Sequence, residues 1–591
     1  MTFLDTANSG RSEAGRTMAS ATKASPEAGE SEGADQRDVS APLDVLLTEA
    51  TYSPRQRFFA ADATLRFGSS LARRPRAVAR RVTGLARELG RVAAGDAEIE
   101  PSRGDRRWGD PSWTENPLFH RLMQAYLATG TAVDGLIRDA DLDLQTERRV
   151  RFPIENLHDA LSPANFPWSN PAAIKAAVST RGASFVRGAE QFASDMRSAP
   201  RLPSMVDTTK FEVGGNLAVT PGSVIHREDA FELIQYAPQT DEVRSVPLLL
   251  VPPMINKFYI ADLAPGRSLV EYLLSQGQQV FVISWRNPET QHGSWDLDTY
   301  AEAILTGLDV ARAVGESEQA HLLAFCGGGI AGACAAGHLA AIDEQDQLAG
   351  LTLGVCVLDN EQSGVPSAFV NRDLARAALS VSARKGYLDG AALGELFAWL
   401  RPNDLIWGYV VNNYLLGRRP PAFDILFWNQ DTTRLAAGLH RDFIQIGLDN
   451  PLVEPGELEL LGTPIDLGQV TVDSYVVAGI SDHITPWENC QHTARMLGGD
   501  TRFVLSTSGH IAAIVNPTDN PKASYRVAEE GEHGDADAWL ATAEKRPGSW
   551  WEDWNAWLAE RSGPMREAPQ RVGSREFRPK GRAPGTYVLA N

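Results

Sequence analysis

The sequence predicts an α/β fold built on a doubly wound, mainly parallel sheet, and three observations carry that prediction. Continuous apolar runs at residues 246–251, 279–285, 319–325 and 351–358 alternate with segments of helical periodicity at 268–276 and 297–314. Unbroken runs of this kind suit parallel strands covered by helices on both faces. The third run ends in Cys326 and passes at once into Gly327-Gly-Gly-Ile-Ala-Gly332, the start of a small-residue helix. Two later apolar strands, within 475–480 and 501–506, are each followed within a few residues by a polar candidate, Asp482 and His510.

The turn at Cys326 reads as a nucleophile elbow, in which the reacting residue occupies a strained strand-to-helix turn and small neighbours relieve the crowding. Ala324, Gly327 and Gly328 supply those neighbours. The following helix would aim free N–H groups and the positive end of its dipole at the sulfur, which favours the thiolate. Each member of the set also has an ordinary reading. A cysteine at a strand end is usually a small buried hydrophobe, a histidine past a strand is often a surface residue, and an aspartate there is a turn former. Their chain order, Cys326 then Asp482 then His510, is that of the α/β-hydrolase fold and points to a catalytic triad. Asp359, at the end of the 351–358 run, is a rival acid, and His483 beside Asp482 is read as structural. Backbone N–H groups of Gly327 and of the loop Pro252-Pro-Met254-Ile255-Asn256, with Met254 and Ile255 as candidates, would hold a developing oxyanion.

Composition divides the chain further. Residues 1–40 are rich in Ala, Gly, Ser and Glu and almost without aromatics, which predicts a disordered tail. Residues 41–205 read as a mainly helical N-terminal region with Trp108, Trp113, Phe119 and Tyr126 as core anchors, and residues 206–591 as the catalytic domain. Seven arginines from Arg73 to Arg91 alternate with Val78, Val82, Leu85 and Leu89. They make either a solvated helix face or a basic amphipathic surface. The net charge of −19 argues against general nucleic-acid binding. Neither a leader pattern nor a membrane-length apolar stretch is present, so the expected location is the cytoplasm. Cys334, Cys356 and Cys490 are read as packing residues in a reducing compartment, and no residue spacing suggests a metal site. Between Asp359 and about residue 445, Phe397, Trp399, Trp407, Tyr409, Tyr414, Phe423, Phe427 and Trp428 fall between Gly- and Pro-punctuated turns, as expected of an inserted cap at about 360–445.

Several longer segments add a resemblance. Asp105-Arg-Arg-Trp-Gly-Asp-Pro-Ser-Trp113, Asn116-Pro-Leu-Phe119, Val251-Pro-Pro-Met-Ile-Asn-Lys-Phe-Tyr-Ile260 and Ile283-Ser-Trp-Arg-Asn-Pro288 are followed by Arg401-Pro-Asn-Asp-Leu-Ile-Trp407 and Pro421-Ala-Phe-Asp-Ile-Leu-Phe-Trp428. Gly479-Ile-Ser-Asp-His-Ile484, Gly509-His-Ile511 and Gly548-Ser-Trp-Trp-Glu-Asp-Trp554 complete the set. In these segments, in this order, the chain resembles the poly(3-hydroxyalkanoate) synthases, most closely the long single-subunit type that favours short-chain monomers. The resemblance implies Cys326, Asp482 and His510 as nucleophile, acid and histidine. It departs at Ala324, where the family box begins with glycine.

The resemblance further implies an acyltransferase that polymerises (R)-3-hydroxyacyl groups from coenzyme A thioesters, 3-hydroxybutyryl-coenzyme A above all. Coenzyme A would be a leaving group and no cofactor would be needed. A growing polyester chain, a granule surface and a second copy of the chain would be the partners. A cysteine suits this chemistry, since exchange of one thioester for another keeps the acyl group activated, whereas a serine ester would not. Asp482 either orients His510 or activates the 3-hydroxyl of an acyl unit. Arg401 is a candidate contact for a coenzyme A phosphate. Two other readings remain: a cysteine α/β-hydrolase of dienelactone-hydrolase or polyester-depolymerase type, which should lack the segments around Trp113 and Trp428, and a non-catalytic granule-binding paralogue, which should have lost a triad member.

Overall fold

The computed structural model describes residues 47–51, 58, 61–102, 104–197, 200–360, 372–482, 484–528 and 534–590. The expected tail at 1–40 and His483 lie outside these residues. One mixed sheet of eleven strands organises the chain, in sequence order β1 (Gly222–Arg227), β2 (Phe231–Tyr236), β3 (Leu248–Val251), β4 (Val280–Trp285), β5 (Ala320–Phe325), β6 (Leu348–Gly354), β7 (Ser474–Gly479), β8 (Thr501–Ser506), β9 (Ser524–Val527), β10 (Glu544–Pro547) and β11 (Gly581–Arg582). Across the sheet they lie in the order β10-β9-β8-β7-β6-β5-β3-β4-β2-β1-β11. The six from β8 to β4 run parallel, and antiparallel strands close both flanks. Every residue of β3, β4 and β5 is buried, as their continuous apolar runs require.

The chain turns from β3 to β4 in one direction and then crosses back to place β5 on the other side of β3. Such a reversal opens a crevice at the carboxyl ends of the strands where an α/β sheet holds its ligand. Here the two ends carry the loop after Val251 and Cys326. The helix Gly327–Ala341 that leaves β5 is buried on nearly all sides, which its Gly and Ala content permits. The expected strand over 351–358 stops at Gly354, because Val355 adopts φ 45 and turns the chain out of the sheet.

Helices Ala61–Ala72, Pro75–Ala94, Pro117–Asp139, Leu144–Ala160, Pro171–Ser179 and Ala183–Asp195 precede the sheet. Asn116 caps the third of them, with Pro117 in its first turn. Trp108, Trp113, Met123, Tyr126 and Ala164 form a core there with Phe119 packed against it, and the two indoles meet edge to face at 4.8 Å. The arginine-rich helix is Pro75–Ala94. Arg80 and Arg81 pair with Asp139 at 3.1 and 2.8 Å, and Arg74 with Asp141 at 2.7 Å, so part of its charge is answered by the neighbouring helix while Val82 faces solvent.

Between β6 and β7 the chain inserts helices that include Arg372–Lys385, Gly390–Leu400, Asp424–Gln430 and Ala437–Asp449, with two stretches of wider π turns at Asn403–Trp407 and Val410–Leu415. The N-terminal helices join this insertion directly. Arg107 bonds Asp159 at 3.1 Å and Asn403 at 3.3 Å, and Tyr414 donates to Asp195 at 2.8 Å. Among the described residues, no helix is long and apolar enough to cross a membrane.

Candidate active site

Cys326 sits between β5 and the helix Gly327–Ala341 with φ 52 and ψ −123, a conformation that costs an L-residue energy and persists only where its surroundings impose it. Its N–H donates to Gly354 O at 3.0 Å, and its carbonyl accepts from Gly329 N at 2.8 Å and Ile330 N at 3.2 Å. The glycines are demanded by approach as much as by turn. A Cβ on Gly328 would stand 2.4 Å from Pro252 O, so any side chain there would push the elbow off the loop that follows β3. The methyl of Ala324 finds room for a similar reason: Gly332 lies across from it, and a Cβ there would come within 2.9 Å.

His510 opens the short helix His510–Ile514 after β8. The far end of that helix is held by the tryptophan-rich helix Trp550–Arg561, whose Trp550 and Trp551 indoles donate to the Ala513 and Ile514 carbonyls at 2.6 and 3.2 Å. These bonds satisfy carbonyls that a helix end leaves unpaired. Asp482 follows β7, and its Oδ2 lies 2.7 Å from His510 Nδ1. Thr485 donates its hydroxyl to the same oxygen at 2.6 Å, while Oδ1 accepts from Ile484 N at 2.9 Å and Thr485 N at 3.0 Å. With Nδ1 so engaged, the other imidazole nitrogen is the one left for Cys326, whose sulfur acts on the charge of the ring.

All three residues are buried, with exposures of 8, 8 and 7% for Cys326, Asp482 and His510. Burial works against an imidazolium at His510, but the Asp482 carboxylate and the Cys326 sulfur outweigh it and hold the ring well above the ordinary imidazole range. Burial likewise opposes the Asp482 charge, and the His510 charge and the hydrogen bonds from His510 and Thr485 overcome it, so that carboxyl lies below its usual range.

The structure does not bring the rival acid to this histidine. Asp359 is buried and accepts from Asn450 Nδ2 at 2.7 Å, with His492 Nε2 3.1 Å from its other oxygen. Arg401 ends the helix Gly390–Leu400 and pairs with Asp404 at 2.7 Å, both side chains 55% exposed; none of its described bonds reaches the triad residues. All four cysteines are free. Cys334, Cys356 and Cys490 are fully covered, and burial pushes the Cys334 thiol up to about 12 and the other two well above the usual value. Among the described residues no group of His, Cys, Asp and Glu could hold a metal ion.

Gly327 and the loop carrying Met254 and Ile255 face each other across the elbow: a Cβ on Gly327 would meet the Phe443 ring at 3.2 Å and the Met254 sulfur at 4.0 Å. Two contributors escaped sequence reading. Thr485 had a detectable signal, since an acid followed three residues later by a threonine is a local capping pattern. Thr433, which bonds the Met254 and Ile255 carbonyls, had none.

Residues 104–273 match the family described as Poly-beta-hydroxybutyrate polymerase (PhaC) N-terminus, and residues 257–517 match the alpha/beta hydrolase fold. The chain is 44% identical over 517 residues to Poly(3-hydroxyalkanoate) polymerase 2 of Ectopseudomonas oleovorans, covering 88% of this chain and 92% of that one. It is 38% identical over 506 residues to the Poly(3-hydroxyalkanoate) polymerase subunit PhaC of Cupriavidus necator, covering 84% and 85% respectively. Among solved structures, a hydrolase from Pseudomonas aeruginosa PA01 aligns at a TM-score of 0.30 and 17% identity over 50% of this chain and 92% of that one, too distant to carry an argument. On an identity of 44% sustained over most of both chains, the chain belongs to the poly(3-hydroxyalkanoate) polymerase family.

Proposed function

We propose that this acyltransferase polymerises (R)-3-hydroxyacyl groups from coenzyme A thioesters through a thioester on Cys326, with 3-hydroxybutyryl-coenzyme A as substrate. The observation that carries the reading is a buried Asp482–His510 pair whose ring charge is supported by the sulfur of a cysteine held at a strained elbow, in a chain whose relatives are poly(3-hydroxyalkanoate) polymerases. His510 takes the thiol proton, and the sulfur attacks the thioester carbonyl. The oxyanion is held by the Gly327 N–H and by an N–H of Met254 or Ile255. Collapse breaks the bond to the coenzyme A sulfur, which leaves as the thiol with the proton from His510. The 3-hydroxyl of a second acyl-coenzyme A then attacks the carbonyl held on Cys326 and gives its proton to His510; the Cys326–acyl bond breaks, the sulfur recovers that proton, and the chain, one ester longer and now carried by coenzyme A, can acylate Cys326 again.

Four donors already occupy Asp482, two on each oxygen. A carboxylate has about four such positions, so this favours Asp482 as the residue that orients His510 rather than as the base for the hydroxyl. The near closure of the site favours transfer over hydrolysis, because water must be kept from the acyl thioester. The insertion between β6 and β7 serves as its cap and must open to admit substrate. Association with granules in the cytoplasm and pairing of two copies are part of the same reading. Arg401 is the weaker element, since an exposed ion pair already engages it. Incubation with 3-hydroxybutyryl-coenzyme A, following thiol release and insoluble polymer together, tests the proposal. Release without polymer would identify a hydrolase instead, and neither would leave a granule-binding paralogue.

A further inference from the structure

The loop after β3 is not held by the sheet alone. Residues 428–433 of the insertion run alongside residues 254–259 and bond them through Trp428, Asp431, Thr432 and Thr433. Trp428 Nε1 donates to Lys257 O at 2.7 Å, and Asn256 bridges Thr432 in antiparallel fashion. Thr433 N donates to Ile255 O at 3.1 Å, and its hydroxyl donates to Met254 O at 2.8 Å. The seam is locked by a buried charge pair. Lys257 Nζ lies 2.7 Å from Asp431 Oδ1 with its side chain only 4% exposed, and Tyr259 donates to the other Asp431 oxygen at 2.8 Å.

A peptide group is planar and trans, so its N–H points opposite to its C=O. Fixing the Met254 carbonyl toward Thr433 therefore fixes the Ile255 N–H in the opposite direction, away from the insertion. The same loop touches the elbow through Pro252 O at Gly328 and Met254 at Gly327. We propose that Thr433 is a positioning residue for the oxyanion site: the insertion sets the direction of the loop N–H that receives the oxyanion, so closing of the insertion and assembly of the catalytic site are one event. The inference rests on the acylation chemistry of Cys326 proposed above.

Two reactions of the same thiol separate positioning from nucleophilicity. Acylation by 3-hydroxybutyryl-coenzyme A passes through an oxyanion, whereas alkylation by iodoacetamide does not. In the full-length protein Thr433→Val, which keeps the shape and the backbone bond but loses the hydroxyl, is expected to slow single-turnover acylation roughly 10- to 100-fold with alkylation within about twofold of the parent. Thr433→Ser should restore acylation. Tyr259→Phe, which frees one oxygen of Asp431 without changing shape, should slow acylation several-fold in the same selective way. Unchanged acylation in both variants, an equal fall of acylation and alkylation, or failure of serine to restore the rate would overturn the inference. An unmodified Cys326 in the parent protein after exposure to the thioester would instead bring down the acylation chemistry itself, and this inference with it.

Discussion

Two buried aspartate–histidine pairs lie at strand ends of this sheet, each with a cysteine nearby in the chain or the fold, and they differ in what surrounds them. Beyond β5, β7 and β8 stand Cys326, Asp482 and His510; beyond β6 stand Cys356 and Asp359, with His492 from the helix Trp487–Met496. Both aspartates are buried and each meets a histidine, at 2.7 and 3.1 Å. At the first place the Cys326 sulfur also helps to hold the proton on the imidazole. Cys356 instead packs beneath Gly329, fully covered, and its carbonyl takes a bond from Thr493. A carboxylate–histidine pair is thus a structural device as readily as a chemical one. What distinguishes the set proposed as reactive is a sulfur placed on a strained turn at a helix N-terminus.

The largest difference should appear between the two sulfurs. Cys326→Ala is expected to abolish thiol release and polymer while the protein still folds, and mass spectrometry of the parent should place the acyl adduct on the Cys326 peptide alone. An adduct on Cys356 would exchange the roles of the two places. Next in size is the histidine. His510→Gln should lower the first acylation toward the upper end of roughly 10²–10⁴-fold, and His492→Gln should leave it nearly intact.

Asp482→Asn should lower acylation and elongation by the same factor, toward the lower end of that range, because an acid whose four positions are filled acts on both steps through His510. Acylation that survives while chains fail to grow would show that Asp482 acts directly on the hydroxyl.

The ion pair should also leave a signature in stability against pH. His510 is raised above its reference value of 6.5, so its contribution is full below about pH 6.5 and is lost as pH rises through the higher folded value. Asp482 is lowered below 3.8, so its share is present above that value and is lost as pH falls through the folded one. Urea unfolding of the parent and of His510→Gln should therefore differ most near pH 6 and converge on the alkaline side; a gap that widens with pH would contradict the pair. Asp359→Asn gives the smallest change in rate, within about threefold, yet it should cost roughly 1–3 kcal/mol of stability by leaving a buried partner unsatisfied. Loss of activity with stability intact would return Asp359 to the catalytic set.

Much of the scaffold was legible along the chain because its signals are local. Strand runs, the amphipathic helix Leu297–Val314 and the crowding that demands small residues around Cys326 all act over a few positions. The expected end of β6 differs for the same reason: residues 355–358 are apolar, with Val355, Cys356 and Leu358 buried and Val357 partly so, but they leave the sheet at Val355, and hydropathy does not distinguish a buried strand from a buried turn.

The sequence by itself determined the α/β class, the elbow at Cys326 and the order in which nucleophile, acid and histidine follow one another. Only the tertiary structure decided which aspartate reaches His510, that Thr485 fills the remaining positions of that carboxylate, and that Arg401 turns to Asp404. It alone joined Thr433 to Met254 across 179 positions. The division has a physical cause. Backbone conformation and hydrophobic periodicity are written in neighbours, whereas the partner of a buried polar group is selected by which strand ends the sheet order places side by side, and that order emerges only when the whole core has packed.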